Sequence, residues 1–155
     1  MKKVRGFLPA LGLFWFLQGC VLAEGPGDRA AGHFGVEMGA PTGLAVDVQV
    51  DRSNRLFSDL GVWSGDLAMN AGWAHQFPGL VKPKDARLAL DSYLGAAVHA
   101  RFDDKTRLGL GIVLGQEITV DNSPFRFFVR LIPLVRISPS AGFNLSAVMG
   151  ATFSF

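Results

Sequence analysis

The feature that most limits the folds open to this chain is a strict two-residue alternation that never carries a charge on one side. In Phe143–Phe155 the odd positions are Phe143, Leu145, Ala147, Met149, Ala151, Phe153 and Phe155. The even ones are Asn144, Ser146, Val148, Gly150, Thr152 and Ser154. A period of two is the signature of a strand with two unlike faces. The same pattern recurs upstream and defines seven more strands: His33–Gly39, Gly43–Asp51, Leu56–Trp63, Asp66–Phe77, Arg87–Phe102, Thr106–Val120 and Phe125–Ile137. Sorted by face, one side of all eight holds no Asp, Glu, Lys or Arg. Charged residues make up 18% of the chain, so a random face would hold several.

The other side collects the charges. It predicts an interior network of Glu37, Asp47, Asp59, Arg87, Asp91, His99, Arg101, Arg107, Glu117, Arg126 and Arg130, interleaved with Gly35, Gly61, Gly72, Gly95, Gly109, Gly111, Gly115 and Gly150. Small residues beside long charged ones suit a narrow bore. Arginine presents five donors in a fixed fork and suits multidentate pairing. The connections contain "GAPTG", "SG", "DDK", "DNSP" and "SPSAG", all turn chemistry. Short connections make sequence neighbours pair as hairpins. The expected fold is all-β, an eight-stranded antiparallel up-and-down barrel.

One-sided alternation suits two barrels. A soluble one turns its apolar face inward around a ligand. A transmembrane one turns that face to lipid and fills its bore with polar side chains. The glycines on the charged side favour the second, as does the bulk of the apolar side chains, which would overfill a bore of eight strands.

Residues 1–32 stand apart. "MKKVR" followed by an apolar run of about fourteen residues has the layout of a secretory signal. Two processing sites compete: after Ala23 in "VLA", giving a signal peptide over residues 1–23, or before a lipidated Cys20 in "LQGC", giving one over 1–19. Residues 24–32 then form a lead-in and 33–155 the barrel. Lys2, Lys3 and Arg5 fall in the signal, so its removal leaves 12 basic residues against 13 acidic and turns a net +2 into −1. A nucleic-acid partner loses its support. Cys20 is the sole cysteine, so no intrachain disulfide forms.

The stretches "GAPTGL" (39–44), "RLGLGIVLGQE" (107–117) and "ISPSAGFNLSAVMGATFSF" (137–155) resemble small bacterial outer-membrane barrels of the OmpA/OmpX-type class, and more closely a group of short barrels of undefined function. The resemblance spans residues 32–155. It implies outer-membrane localisation, lipid and the barrel-insertion machinery as partners, a monomer, and an insertion signal at Phe153 and Phe155. It implies no activity. Such barrels ordinarily carry long external loops; here those connections would be "APT", "SG", "DDK" and "SPSA", and the longest one, Pro78–Ala86, would be periplasmic.

No catalytic, metal or cofactor pattern emerges. "HFG", "HQF" and "HAR" at His33, His75 and His99 lack the His-x-Ser spacing of an outer-membrane deacylase, and Ser92 falls on the face opposite His99 and Asp91. "GVW" (61–63) matches a lipocalin Gly-x-Trp pattern on the wrong strand, so Trp63 reads as an interfacial residue. The functional expectation is a structural or interaction protein with a charge-plugged lumen and no enzymatic activity. The alternatives are a lipocalin-like soluble or lipid-anchored barrel holding an apolar ligand, and a narrow polar pore.

Overall fold

The computed structural model describes residues 32–80 and 87–154. The expected signal peptide, the expected lead-in up to Ala31, Cys20 and Phe155 lie outside them. Eight strands follow one another: β1 (Gly32–Gly39), β2 (Thr42–Gln49), β3 (Asn54–Trp63), β4 (Asp66–Phe77), β5 (Leu88–Phe102), β6 (Arg107–Val120), β7 (Phe125–Ser138) and β8 (Gly142–Ser154). Each pairs antiparallel with the next, and β8 returns to β1, so the sheet is a closed barrel without a free edge. Closure matters because unpaired edge strands invite association.

The stagger of the strands sets the barrel's shape. Stepping across the ladders from His33 passes through Asp47, Phe57, Gly72, Ala97, Gly111, Leu134 and Asn144. It meets the line of β1 at position 43, ten residues beyond its start. With about 3.3 Å per residue and about 4.8 Å between strands, that stagger tilts the strands by roughly 40°, inside the range of closed barrels. The bore is correspondingly narrow. We call the end bearing the β1–β2, β3–β4, β5–β6 and β7–β8 turns the upper end, and the other the lower end.

Each hairpin is closed by local chemistry. Ser64 and Gly65 both have positive φ, 53° and 88°, between the paired Trp63 and Asp66. Two such residues form the primed turn that matches strand twist. Thr42 accepts the Gly39 N–H at its Oγ1 and donates to the Gly39 carbonyl, at 3.0 and 2.9 Å. Asp51 accepts the backbone N–H groups of Ser53 and Asn54. Near the upper end, Leu108 pairs with Ser138 and Gly109 with Arg136, leaving Ile137 as the extra residue of a β-bulge.

Several bounds differ from expectation by a residue or two. β5 begins at Leu88, and Arg87 is exposed ahead of it. The consequential shift is in β3, which starts at Asn54 and not Leu56. Cross-strand pairing continues through Arg55↔Ala74 and Asn54↔His75, and the extension carries Arg55 into the interior.

The charged face points inward and the apolar face outward. Asp47, Arg55, Asp59, Asn70, His99, Glu117 and Arg130 are buried, whereas Val36, Met38, Ile112, Val135, Phe143 and Leu145 are more than half exposed. Inside, three aromatic rings lie over glycines of the adjoining strand: Phe57 over Gly72, Tyr93 over Gly115 and Phe128 over Gly150. A methyl on Gly72 would stand 2.6 Å from Phe57 Cζ, and one on Gly150 2.7 Å from Phe128 Cζ. The missing side chains let the rings lie against the wall. The space so cleared is where two arginines sit.

Candidate functional site

Arg130 occupies the middle of the bore. The alternation of β7 turns it inward, with Gly115 beside it on β6 and Val148 on β8. It is fully buried. Its Nη1 donates to both oxygens of Asp59, at 2.7 and 2.8 Å, its Nη2 reaches Asp47 at 3.5 Å, and its Nε reaches the Tyr93 hydroxyl at 3.4 Å. Its guanidinium carbon stands 4.1 Å from the centre of the Phe57 ring and 4.9 Å from that of Phe128. Charge-assisted bonds satisfy the edge of the cation and aromatic faces cover its planes. Asp59 belongs to β3, four strands from β7 in a ring of eight, so this ion pair spans the full width of the bore.

A polar chain rises from Asp59. Asn70 Nδ2 donates to Asp59 Oδ2 at 3.4 Å, and His99 Nδ1 lies 2.8 Å from Asn70 Oδ1. The carboxylate can only accept, which orients the amide. The amide oxygen then accepts in turn, so the His99 proton is on Nδ1. Trp63 meets the His99 ring edge-on at 4.9 Å. The expected interfacial place for Trp63 is therefore corrected: its position on β3 is an inward one, and the ring closes over His99 near the upper mouth.

Below Arg130 lies a second cluster. Arg55 donates to Glu117 at 2.6 Å, and Arg126 donates to the other Glu117 oxygen at 3.2 Å. Arg55 also reaches Gln76, whose amide donates to Asp91 at 2.9 Å. Tyr93 joins the two clusters, since its hydroxyl serves Arg130 and Arg55 stacks over its ring at 4.9 Å.

At the upper mouth Arg101 pairs with Asp66 through Nε and Nη2, at 2.9 and 2.6 Å, and Arg107 with Asp103 at 2.6 Å. Of the expected network, Asp47, Asp59, Asp91, His99, Glu117, Arg126 and Arg130 are thus linked through the bore, and Arg101 and Arg107 form separate pairs at its mouth. Arg87 precedes β5 and is exposed. Glu37 is buried, within Coulombic reach of Asp59, Arg130 and Asp47, yet neither of its oxygens meets a hydrogen-bond donor of the described residues.

Sequence reasoning missed Arg55 and undervalued Tyr93, Gln76, Asn70 and Asp66. Arg55 carried a usable signal: it stands two residues before Phe57, on the same face. The polar run "DRSN" ahead of it read as loop.

This interior pairs charges, and at its lower end the Ser154 hydroxyl lies 3.0 Å from His33 Nδ1 and donates to the Pro124 carbonyl at 3.3 Å. Ser92 points outward, where its hydroxyl accepts from Gln116 at 3.3 Å, far from the inward bond between His99 and Asn70. Among the described residues no group of three or more His, Cys, Asp or Glu side chains is placed to hold a metal ion. Compared with family models, curated proteins and solved structures, the chain matches none.

Proposed function

We propose that this protein is a small outer-membrane β-barrel, monomeric in lipid, whose bore is plugged by paired charges and whose role is structural or interactive, not catalytic. One observation carries the reading: the barrel is inverted relative to a water-soluble one. Its outward strand positions hold no charged residue, and Phe34, Val36, Leu110, Ile112, Val129, Leu145 and Met149 among them are exposed. A continuous apolar belt of this kind is far larger than the patches soluble monomers carry, and matches the apolar band of transmembrane barrels. A lipocalin-like barrel would need the opposite arrangement, with an apolar interior open to a ligand. Here the interior contains buried arginines and carboxylates.

In this reading the lower end faces the periplasm, and Trp73, Phe77, Phe125 and Phe153 stand at that membrane boundary, where aromatic residues are enriched. The upper turns face outward. They are too short to form the long loops that carry receptor or adhesin function. The barrel wall and its two rims are what such a protein offers to lipid or to a partner.

Fractionation of the producing cell tests the proposal. The protein is expected in the membrane pellet after an alkaline wash. It should migrate differently on a gel before and after boiling, because a closed barrel resists detergent until heated. Recovery in the soluble fraction with a single heat-independent band would refute it.

A further inference from the structure

The upper mouth holds a small polar cavity of about 40 Å3. Trp63, His99, Arg101, Arg107, Arg136 and Asn144 line it, from five different strands. A water molecule needs about 10–15 Å3 on this measure, so the space suits about three water-sized groups. That is the size of a small oxyanion and far below that of a drug-sized ligand.

The charge around it is unbalanced. Asp66 answers Arg101 and Asp103 answers Arg107. Arg136 has only neutral partners: its Nε donates to the Ser140 carbonyl at 2.9 Å and its Nη2 reaches the Ser140 hydroxyl at 3.4 Å. Among the described residues no carboxylate lies within ion-pair distance of it. Three guanidinium groups against two carboxylates leave one positive charge at the rim of a cavity whose lining also offers the Asn144 amide. Arg136 is also held in place. A methyl on Gly142 would stand 2.8 Å from its Nη2, so the guanidinium lies over that glycine. A positioned arginine fork is the group best suited to two oxygens of one anion.

We propose that this mouth binds a tetrahedral oxyanion of the phosphate class, with Arg136 as its principal ligand. Two sources share that chemistry: free phosphate, and the phosphomonoester of a lipid headgroup reaching over the rim. The site depends on the barrel and not on its membrane setting, so it is testable in detergent whether or not the proposed localisation holds.

The reporter is the Trp63 indole N–H, followed by heteronuclear NMR on the folded protein. In one arm inorganic phosphate is titrated in detergent at constant ionic strength against chloride. In the other the protein is placed in phosphatidylcholine vesicles with and without phosphatidic acid. A saturable Trp63 response in the first arm, with Trp73 on the outer wall unmoved, identifies free phosphate as the ligand. A response only to phosphatidic acid identifies the headgroup. In either case Arg136→Gln should weaken binding about tenfold or more, and Arg136→Lys, which keeps the charge but loses the fork, should fall between. If Arg136→Gln fails to give the heat-dependent gel shift of a folded barrel, Gly142→Ala replaces it, since that change displaces the guanidinium without removing its charge. The proposal is overturned if Trp63 responds in neither arm, if chloride reproduces the response, or if the response survives both variants unchanged.

Discussion

Removing the Arg130 side chain is expected to cost about 3–5 kcal/mol, because it leaves carboxylates buried without their cation. Asp59 is fully buried and takes two of the arginine's bonds, so it bears most of the loss. Denaturant unfolding of Arg130→Ala in detergent measures the effect. Arg130→Lys should recover only part of it, since an ammonium cannot match the fork or stack between Phe57 and Phe128. A second residue responds to acid. Asp51, in the β2–β3 turn, is held below the usual carboxylate range chiefly by the Asn54 side chain, with further donation from the Ser53 and Asn54 backbone. A depressed native pKa contributes stability that is present above the unfolded value and lost as pH falls through the native one. The turn should therefore loosen on the acid side of the ordinary aspartate range of about 3.9. Faster amide exchange at Ser53 and Asn54 would report it, and Asp51→Asn should abolish the pH dependence. At this scale the sequence was legible where alternation was unbroken: Asp59 and Arg130 lie deep inside regular strands. Arg55 was hidden because β3 begins inside a polar run, and no local pattern distinguishes a loop arginine from one whose strand continues two residues further.

The strands were legible because both faces impose their own chemistry, one by excluding charge and one by demanding small residues beside large ones. What a single strand could not disclose was which glycine faces which ring, since that depends on register between strands. The Tyr93–Gly115 pair shows the consequence. Gly115→Val should cost about 1–3 kcal/mol by overpacking, because its side chain would occupy the space of the Tyr93 ring. The displaced ring would then press on Arg55 and Arg130. Chemical shifts of the Arg55 and Arg130 Nε–H groups should move in that variant. A change confined to residues beside Gly115 would argue that the ring does not couple the two clusters. The outward face is tested on β6. Ile112 is exposed between Leu110 and Leu114, so Ile112→Arg should cost about 2–4 kcal/mol in a bilayer if that position lies at the midplane. Unfolding from vesicles of defined thickness measures it, and an unchanged midpoint would place Ile112 away from the hydrocarbon.

For the whole molecule, closure and polarity act together. Eight strands enclose a bore that side chains nearly fill, and the pair between Arg130 and Asp59 joins walls four strands apart. The pair between Arg55 and Glu117 adds a second crosslink, from β3 to β6. Along β7, Ile132 and Leu134 are fully buried between Arg130 and Arg136, so on this wall apolar bulk separates the two arginines. The ring order was legible from hairpin connections alone, but the crosslinks were not, because they depend on the stagger that decides which levels face each other across the bore. These contacts predict a barrel that does not conduct. An ion on the axis would have to displace a guanidinium already held by carboxylates and aromatic faces, and the displaced charges would lack water to replace those partners. In planar bilayers the wild-type protein should show no steady open state. Arg130→Ala, if it still inserts and shifts on heating, should admit small currents, because the guanidinium in the middle of the bore is gone and Asp47 and Asp59 are left facing the space; those currents should favour cations. Steady, large conductance from the wild type would refute the plug, and an equally silent Arg130→Ala barrel would move the barrier from the central ion pair to the apolar side chains above it.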